Sequence, residues 1–208
     1  MAFQLVRATV ITQMTNVTPM ATDFTEPLTF NLFNPTSGVL TGITFRVEST
    51  LSGSINIENV DPDDFNQMNY SFEATINLIR PMTNTVLLST MPSFTNTVVL
   101  NLFDGIIDFG GTSGTTIPLN IGATNSLFTM NPIDLALFTG TGTIIMNLGA
   151  IGMSTVVDES GKDDPVVQIF SDGGALVTLE YLFIPEPNTL AYIGVAMAFC
   201  SFMRRRRK

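Results

Sequence analysis

Tyr70-Ser71-Phe72-Glu73-Ala74-Thr75-Ile76-Asn77-Leu78 sets an apolar residue at every even position and a polar one at every odd position. A side-chain period of two belongs to a β-strand with one face in a core and the other in water. The same alternation runs through Leu51, Ile55 and Ile57 against Ser52, Ser54, Asn56 and Glu58. It returns in Ala175, Val177, Leu179, Tyr181 and Phe183 against Leu176, Thr178, Glu180 and Leu182. Further strands are expected at 28–33, 40–47, 85–89, 97–103, 143–148 and 166–170, and Phe3, Leu5, Thr9 and Ile11 read as a strand near the start. Gly, Pro, Asn and Asp clusters at 34–38, 61–64, 80–82, 110–114 and 171–174 separate these runs as turns. Pro35 to Gly38 reads as a tight reversal, Gly42 as a bulge or close backbone approach, and 131–138 as one helical turn. No strand-then-helix alternation appears, so the expected class is all-β: an antiparallel β-sandwich, jelly-roll-like.

Composition narrows the chemistry. The chain has 208 residues, no His, no Trp and a single cysteine, Cys200. His-based triads, imidazole metal sites and Cys-rich zinc sites are therefore excluded, as is a disulfide within the chain. Of nine Lys and Arg, five are Arg204, Arg205, Arg206, Arg207 and Lys208, leaving four cations against eighteen acids in residues 1–203, a net of −14. Phosphate binding needs clustered cations, so nucleic acid is excluded as a partner of the body.

The C-terminal end has three parts: Ile184-Pro185-Glu186-Pro187-Asn188-Thr189, an apolar run from Leu190 to Met203, and the basic cluster. Each proline lacks an N–H and fixes φ, so the first part is expected as an extended, accessible segment that continues neither strand nor helix. The run, with Leu190, Tyr192, Ile193, Val195, Met197, Phe199, Phe202 and Met203, predicts a short C-terminal transmembrane helix. From Thr189 to Met203 are 15 residues, about 22 Å of helix against a hydrocarbon core of about 30 Å. Snorkelling arginines and local thinning accommodate so brief a span. The basic cluster stays cytoplasmic under the positive-inside rule, which puts the body outside. Cys200 reads as a small apolar residue within that segment.

This arrangement resembles the PEP-CTERM sorting signal of Gram-negative bacteria. The resemblance covers about residues 184–208 and implies recognition around Pro185, Glu186 and Pro187 by an exosortase, a membrane-embedded, transpeptidase-like partner. Leu28-Thr29-Phe30, then 33–43 from Phe33-Asn34-Pro35 to Thr41-Gly42-Ile43, and later Phe138-Thr139-Gly140-Thr141-Gly142-Thr143, is similar to the choice-of-anchor E domain. That family comprises surface-protein domains without an assigned activity. Two units follow: 1–183 as an extracellular β-sandwich and 184–208 as the sorting and anchor segment. Such a protein passes through an inner-membrane-anchored intermediate to the cell surface or extracellular matrix. Met1 to Arg7 has neither a basic n-region nor an apolar h-region, so a signal peptide is expected upstream of Met1. A chain starting at Met1 would instead be tail-anchored and face the cytoplasm.

Candidate chemistry in the body is sparse. Asp61, Asp63 and Asp64 in one loop, and Asp158, Glu159, Asp163 and Asp164 in another, form oxygen-rich loops of the kind that bind Ca²⁺, without EF-hand spacing. No other cofactor is expected. Asp104, Asp108 or Asp134 would have to face one another across a cleft in a glycosidase; turn-capping roles are the simpler reading. The glycines at 105, 110, 111 and 114 lack a following Gly-Lys-Ser/Thr, so they form no phosphate loop. Extracellular polysaccharide is a further partner to weigh, with Tyr70 and Tyr181 as the only body tyrosines available for stacking. The leading expectation is a non-enzymatic surface or matrix protein. A carbohydrate-active enzyme or Ca-dependent carbohydrate-binding module is the alternative.

Overall fold

The computed structural model describes residues 7–159 and 165–186. Ten strands run β1 (Thr9–Ala21), β2 (Phe24–Asn31), β3 (Gly38–Glu58), β4 (Asn66–Ile79), β5 (Val86–Thr90), β6 (Ser93–Leu100), β7 (Gly114–Thr129), β8 (Thr143–Gly152), β9 (Thr155–Asp158) and β10 (Val166–Pro185). One sheet has the order β1-β10-β3-β7. The other has β2-β8-β4-β5, with β6 and β9 also paired to β4, and every pairing between strands is antiparallel. The expected all-β sandwich is therefore observed.

Registers show that β5 and β6 are two halves of one lane. Thr90 pairs with Ile76 and Ser93 with Glu73 without loss of step, so only Met91 and Pro92 interrupt the edge. β8 and β9 likewise share one register along β4, from Asn147 opposite Ile79 to Asp158 opposite Met68. Each sheet therefore has four lanes.

The two sheets bury their facing residues in two clusters. One contains Phe45 and Val47 of β3, Ile76 and Leu78 of β4, Leu148 of β8 and Val177 and Leu179 of β10. The other contains Leu51, Ile55 and Ile57 with Met68, Tyr70 and Phe72. The apolar positions of the sequence alternation are the buried ones, and burial contributes about 25 cal/mol per Å² of apolar surface removed from water.

Several expectations need correction. Residues 40–47 and 51–57 lie in one strand, β3, and 166–170 and 175–183 lie in another, β10. The run Ser171-Asp172-Gly173-Gly174 is thus no turn; it continues β10 opposite Gly53 to Thr50. Its glycines serve close packing, because a Cβ on Gly174 would stand 2.8 Å from Val17 O and from Pro19 N, where β1 bulges between Val17 and Met20. Gly53, at φ 153°, is equally constrained: a Cβ there would lie 1.9 Å from Phe170 O. β7 and β9 were not expected from the sequence. The reversal at 35–37 is a 3-10 turn capped by Asn34, and 131–138 yields helix α1 (Pro132–Leu137) capped by Asn131. Gly42 lies at a bulge, where Thr41 is skipped between the Leu182–Gly42 and Phe183–Leu40 pairs.

Both open sides of the sandwich are closed by amide side chains. Gln13 of β1 donates from Nε2 to Asn31 O at 2.9 Å and accepts from Asn31 N at 2.8 Å, acting as a peptide unit for the edge of β2. On the far side Asn125 of β7 donates to Ser89 O of β5 at 2.9 Å. The Tyr181 hydroxyl also donates to Asn31 O, at 2.8 Å. Burial pushes the Tyr181 phenol well above its ordinary value, with the Gln13 hydrogen bond opposing in part. The folded chain thus holds this proton more tightly than the unfolded one, so its stabilising effect is complete below about pH 10, the unfolded value, and is lost as pH rises through the folded pKa. Thermal melts from pH 8 to 11.5 should show Tm falling more steeply above pH 10 in the wild type than in Tyr181→Phe. The variant itself should lose about 1 kcal/mol at neutral pH with the hydrogen bond.

Candidate functional site

Where β9, β4 and β6 lie side by side, the sheet carries a groove of about 420 Å³ lined by Asn69, Tyr70, Ser71, Thr95, Asn96, Thr97, Thr155 and Val157. Strand alternation builds it. Met68, Tyr70 and Phe72 go inward, so Gln67, Asn69, Ser71 and Glu73 face out. Register then sets Thr155, Ser71 and Thr95 in one row and Val157, Asn69 and Thr97 in the next.

Hydrogen bonds fix these groups. Thr97 Oγ1 donates to Asn69 Oδ1 at 2.6 Å, which turns the Asn69 amide nitrogen toward Glu159 Oε1. Gln67 Nε2 donates to the other oxygen of Glu159. Ser71 and Thr155 share a hydrogen bond at 2.9 Å. Below them Tyr70 is buried, its ring 6.3 Å from that of Phe94. Among the described residues no cation lines the groove. Its hydroxyls and amides both donate and accept, which suits a neutral, hydroxyl-rich ligand rather than an anion.

The sequence-predicted acidic residues are placed differently. At one end of the sandwich, Asn59 forms the centre of a buried polar knot. It donates to Asp64 O at 3.0 Å and Asn101 O at 2.8 Å, and accepts from Asp61 N and Asn66 Nδ2, both at 2.9 Å. The Asp61 carboxylate accepts from Asp63 N at 2.8 Å, which ties the loop to itself. Glu58, fully buried, accepts from Phe109 N at 2.7 Å and Ser113 Oγ at 2.6 Å. Among the described residues no group of three or more acidic or cysteine side chains could hold a metal ion. Asp163 and Asp164 lie outside those residues.

Asp104 and Asp108 cap their own turns, accepting from Ile106 N at 3.1 Å and Gly110 N at 2.8 Å. Asp134, 2% exposed, lies 3.2 Å from Arg80 Nη2 and accepts from Thr129 Oγ1 at 3.1 Å. Gly114 and Thr129 pair with Glu58 and Ile43, so these two ends of β3 are about 50 Å apart at the rise of an antiparallel strand. Asp134 therefore cannot share a catalytic cleft with Asp104 or Asp108.

Ile184 and Pro185 correct a further expectation, because they continue β10 opposite Val39 and Gly38. β1 stops pairing at Thr9 opposite Phe183, so the missing N–H of Pro185 falls at a strand end. Glu186 follows, exposed. Pro187, the segment from Leu190 to Met203 and the cluster Arg204 to Lys208 lie outside the described residues. Among the described residues no helix is long and apolar enough to cross a membrane.

The groove was not expected from the sequence, where Tyr70 to Leu78 reads as a half-buried strand and Tyr70 as a residue available for stacking. The available signal was the run of outward Gln, Asn, Ser and Glu on 67–73, matched by Ser93, Thr95 and Thr97.

No protein-family model matches the chain, and no curated protein is similar to it. Among solved structures, a cryo-EM structure of Mud crab tombus-like virus aligns at 10% identity over 93% of this chain and 89% of its own, with TM-score 0.24. The infectious bursal disease virus VP2 subviral particle aligns at 12% identity over 92% of this chain and 48% of its own, with TM-score 0.16.

Asn59 gives the sharpest test of the loop-organising knot. Asn59→Ala should destabilise the protein by about 3 kcal/mol, because it strands buried partners as well as removing its own bonds. Urea unfolding measures this, with Asn96→Ala, an exposed position, within about 0.5 kcal/mol of wild type.

Proposed function

We propose that this is an exported, non-enzymatic cell-surface or matrix protein, sorted by an exosortase through its C-terminal signal, whose body associates with extracellular polysaccharide through the β9-β4-β6 groove. The body is read as a jelly roll. Four lanes in each sheet support this, with successive lanes changing sheet at every connection except β4 to β5. The segment from Leu190 to Met203 is read as the short transmembrane helix that arrests the chain, with Arg204 to Lys208 on the cytoplasmic side. The observation that carries the reading is the order of proline-flanked Glu186, apolar run and basic cluster, supported by the exposure of Glu186 immediately after the last strand. The non-catalytic part is supported by the structural employment of Asp104, Asp108 and Asp134.

Replacing Pro185, Glu186 and Pro187 together by alanine should leave the full chain uncleaved in the membrane fraction of an exosortase-containing host. Intact mass spectrometry of the delivered protein decides it: a wild-type product retaining Arg204 to Lys208 would overturn sorting by cleavage. For the groove, Asn69→Ala with Thr97→Ala should weaken retention on neutral polysaccharide gels at least tenfold, whereas Ser126→Ala on the other sheet should not. Release of reducing ends by the wild type would argue for catalysis instead.

A further inference from the structure

Across the outer face of the β1-β10-β3-β7 sheet, register assembles an apolar patch at the end where β10 leaves the body. Val10 pairs with Leu182, and Leu182 with Gly42. Phe128 lies over Gly42, where a Cβ would meet its ring at 2.6 Å. Ile184 pairs with Val39 one row further out; Met14, opposite Thr178, stands at the border of the patch along β1, beyond the polar row of Thr12 and Glu180. Val10, Met14, Val39, Phe128 and Ile184 are exposed, from 41% at Ile184 to 64% at Met14. Contiguous exposed apolar surface of this kind marks a contact site, whereas isolated apolar side chains do not.

We infer that this patch receives the chain's own apolar segment, Leu190 to Met203, whenever that segment is in water rather than lipid. Three observations select this occupant. Glu186 leaves β10 beside Ile184 and Val39, and Leu190 follows it after only three residues, a reach of about 14 Å at full extension. The patch and the segment each expose apolar surface that water disfavours, and their covalent connection gives a high effective concentration. Charge also discriminates. Residues 1–203, at net −14, are repelled by an anionic lipid surface, while Glu180, in the row between Val10 and Met14, complements the five cations that end the segment; Glu48 on the same face is already 3.3 Å from Arg46. Docking keeps the segment out of intermolecular contacts until a bilayer takes it. The inference goes beyond the sorting proposal, because it requires only the apolar run and not an exosortase.

Cys200 supplies the probe, as the sole cysteine. In the full chain at low concentration without detergent, Met14→Cys should form an intramolecular disulfide with Cys200 under mild diamide oxidation. Ile145→Cys, exposed on the opposite sheet, should react at least tenfold more slowly. Adding Val39→Asp and Phe128→Asp to Met14→Cys should reduce its rate to that of Ile145→Cys, with unchanged far-UV circular dichroism. Equal rates at Met14→Cys and Ile145→Cys would overturn the inference in favour of an unattached tail. Predominantly intermolecular products would overturn it in favour of a second copy on the patch. Failure of the alanine replacements to block sorting would leave these outcomes untouched.

Discussion

Twenty residues of β10 pair against β3, from Val166 opposite Glu58 to Pro185 opposite Gly38, and the remaining architecture is attached to that ladder. β1 joins its outer flank through β10, and β7 joins the other through β3. Strands this long must coil, since the right-handed twist of each pair accumulates along the ladder. Glycine sits within both strands, Gly53 in β3 and Gly174 in β10. There the backbones approach too closely for a Cβ, and the β1 bulge at Pro19 packs into the space left at Gly174. Side chains on the inner face then meet the second sheet in two clusters, which divide at Gly173-Gly174 on β10 and between Val47 and Leu51 on β3.

A two-sheet sandwich leaves four edge lanes, and each carries a proline: Pro19 in β1, Pro27 in β2, Pro118 in β7, and Pro92 between β5 and β6. A proline lacks the N–H that an added strand would need, so every outer lane resists extension by another chain. Gln13 and Asn125 act on the same lanes from inside the molecule. Each lends its side-chain amide to the backbone of the facing sheet, so edge groups that would otherwise rely on water have an intramolecular partner.

The strand alternation was legible because half-buried strands must repeat every second residue, and β4 does so without a break. A tight reversal at Pro35 to Gly38 and a helical turn at 131–138 were expected, and the structure supplies the reason at both: the Asn34 or Asn131 side chain caps and the following Pro presets φ. Ser171-Asp172-Gly173-Gly174 misled because glycine allows both a turn and a close strand crossing, and only the proximity of Pro19, 155 residues away in the chain, selects the second. β7 carries the alternation too, with Ile117, Leu119 and Ile121 half-buried and Pro118, Asn120 and Gly122 exposed between them, but Pro and Gly are uncommon inside strands and only a lane at the edge tolerates them. The groove was illegible for a related reason. Its rows come from three lanes whose register is set by the buried faces, so Thr155 reaches Ser71 only through a pairing that no local pattern encodes.

The β3–β10 ladder also orders events in time. The strand that lies between β1 and β3 is the last described strand of the chain, so the N-terminal strand β1 has no neighbour in its own sheet until residues 166–185 have been made. Such high contact order slows the search for the native topology. A nascent or partly threaded polypeptide therefore remains open along its first sheet, and shutting that sheet is coupled to the arrival of the segment that leads directly into the tail.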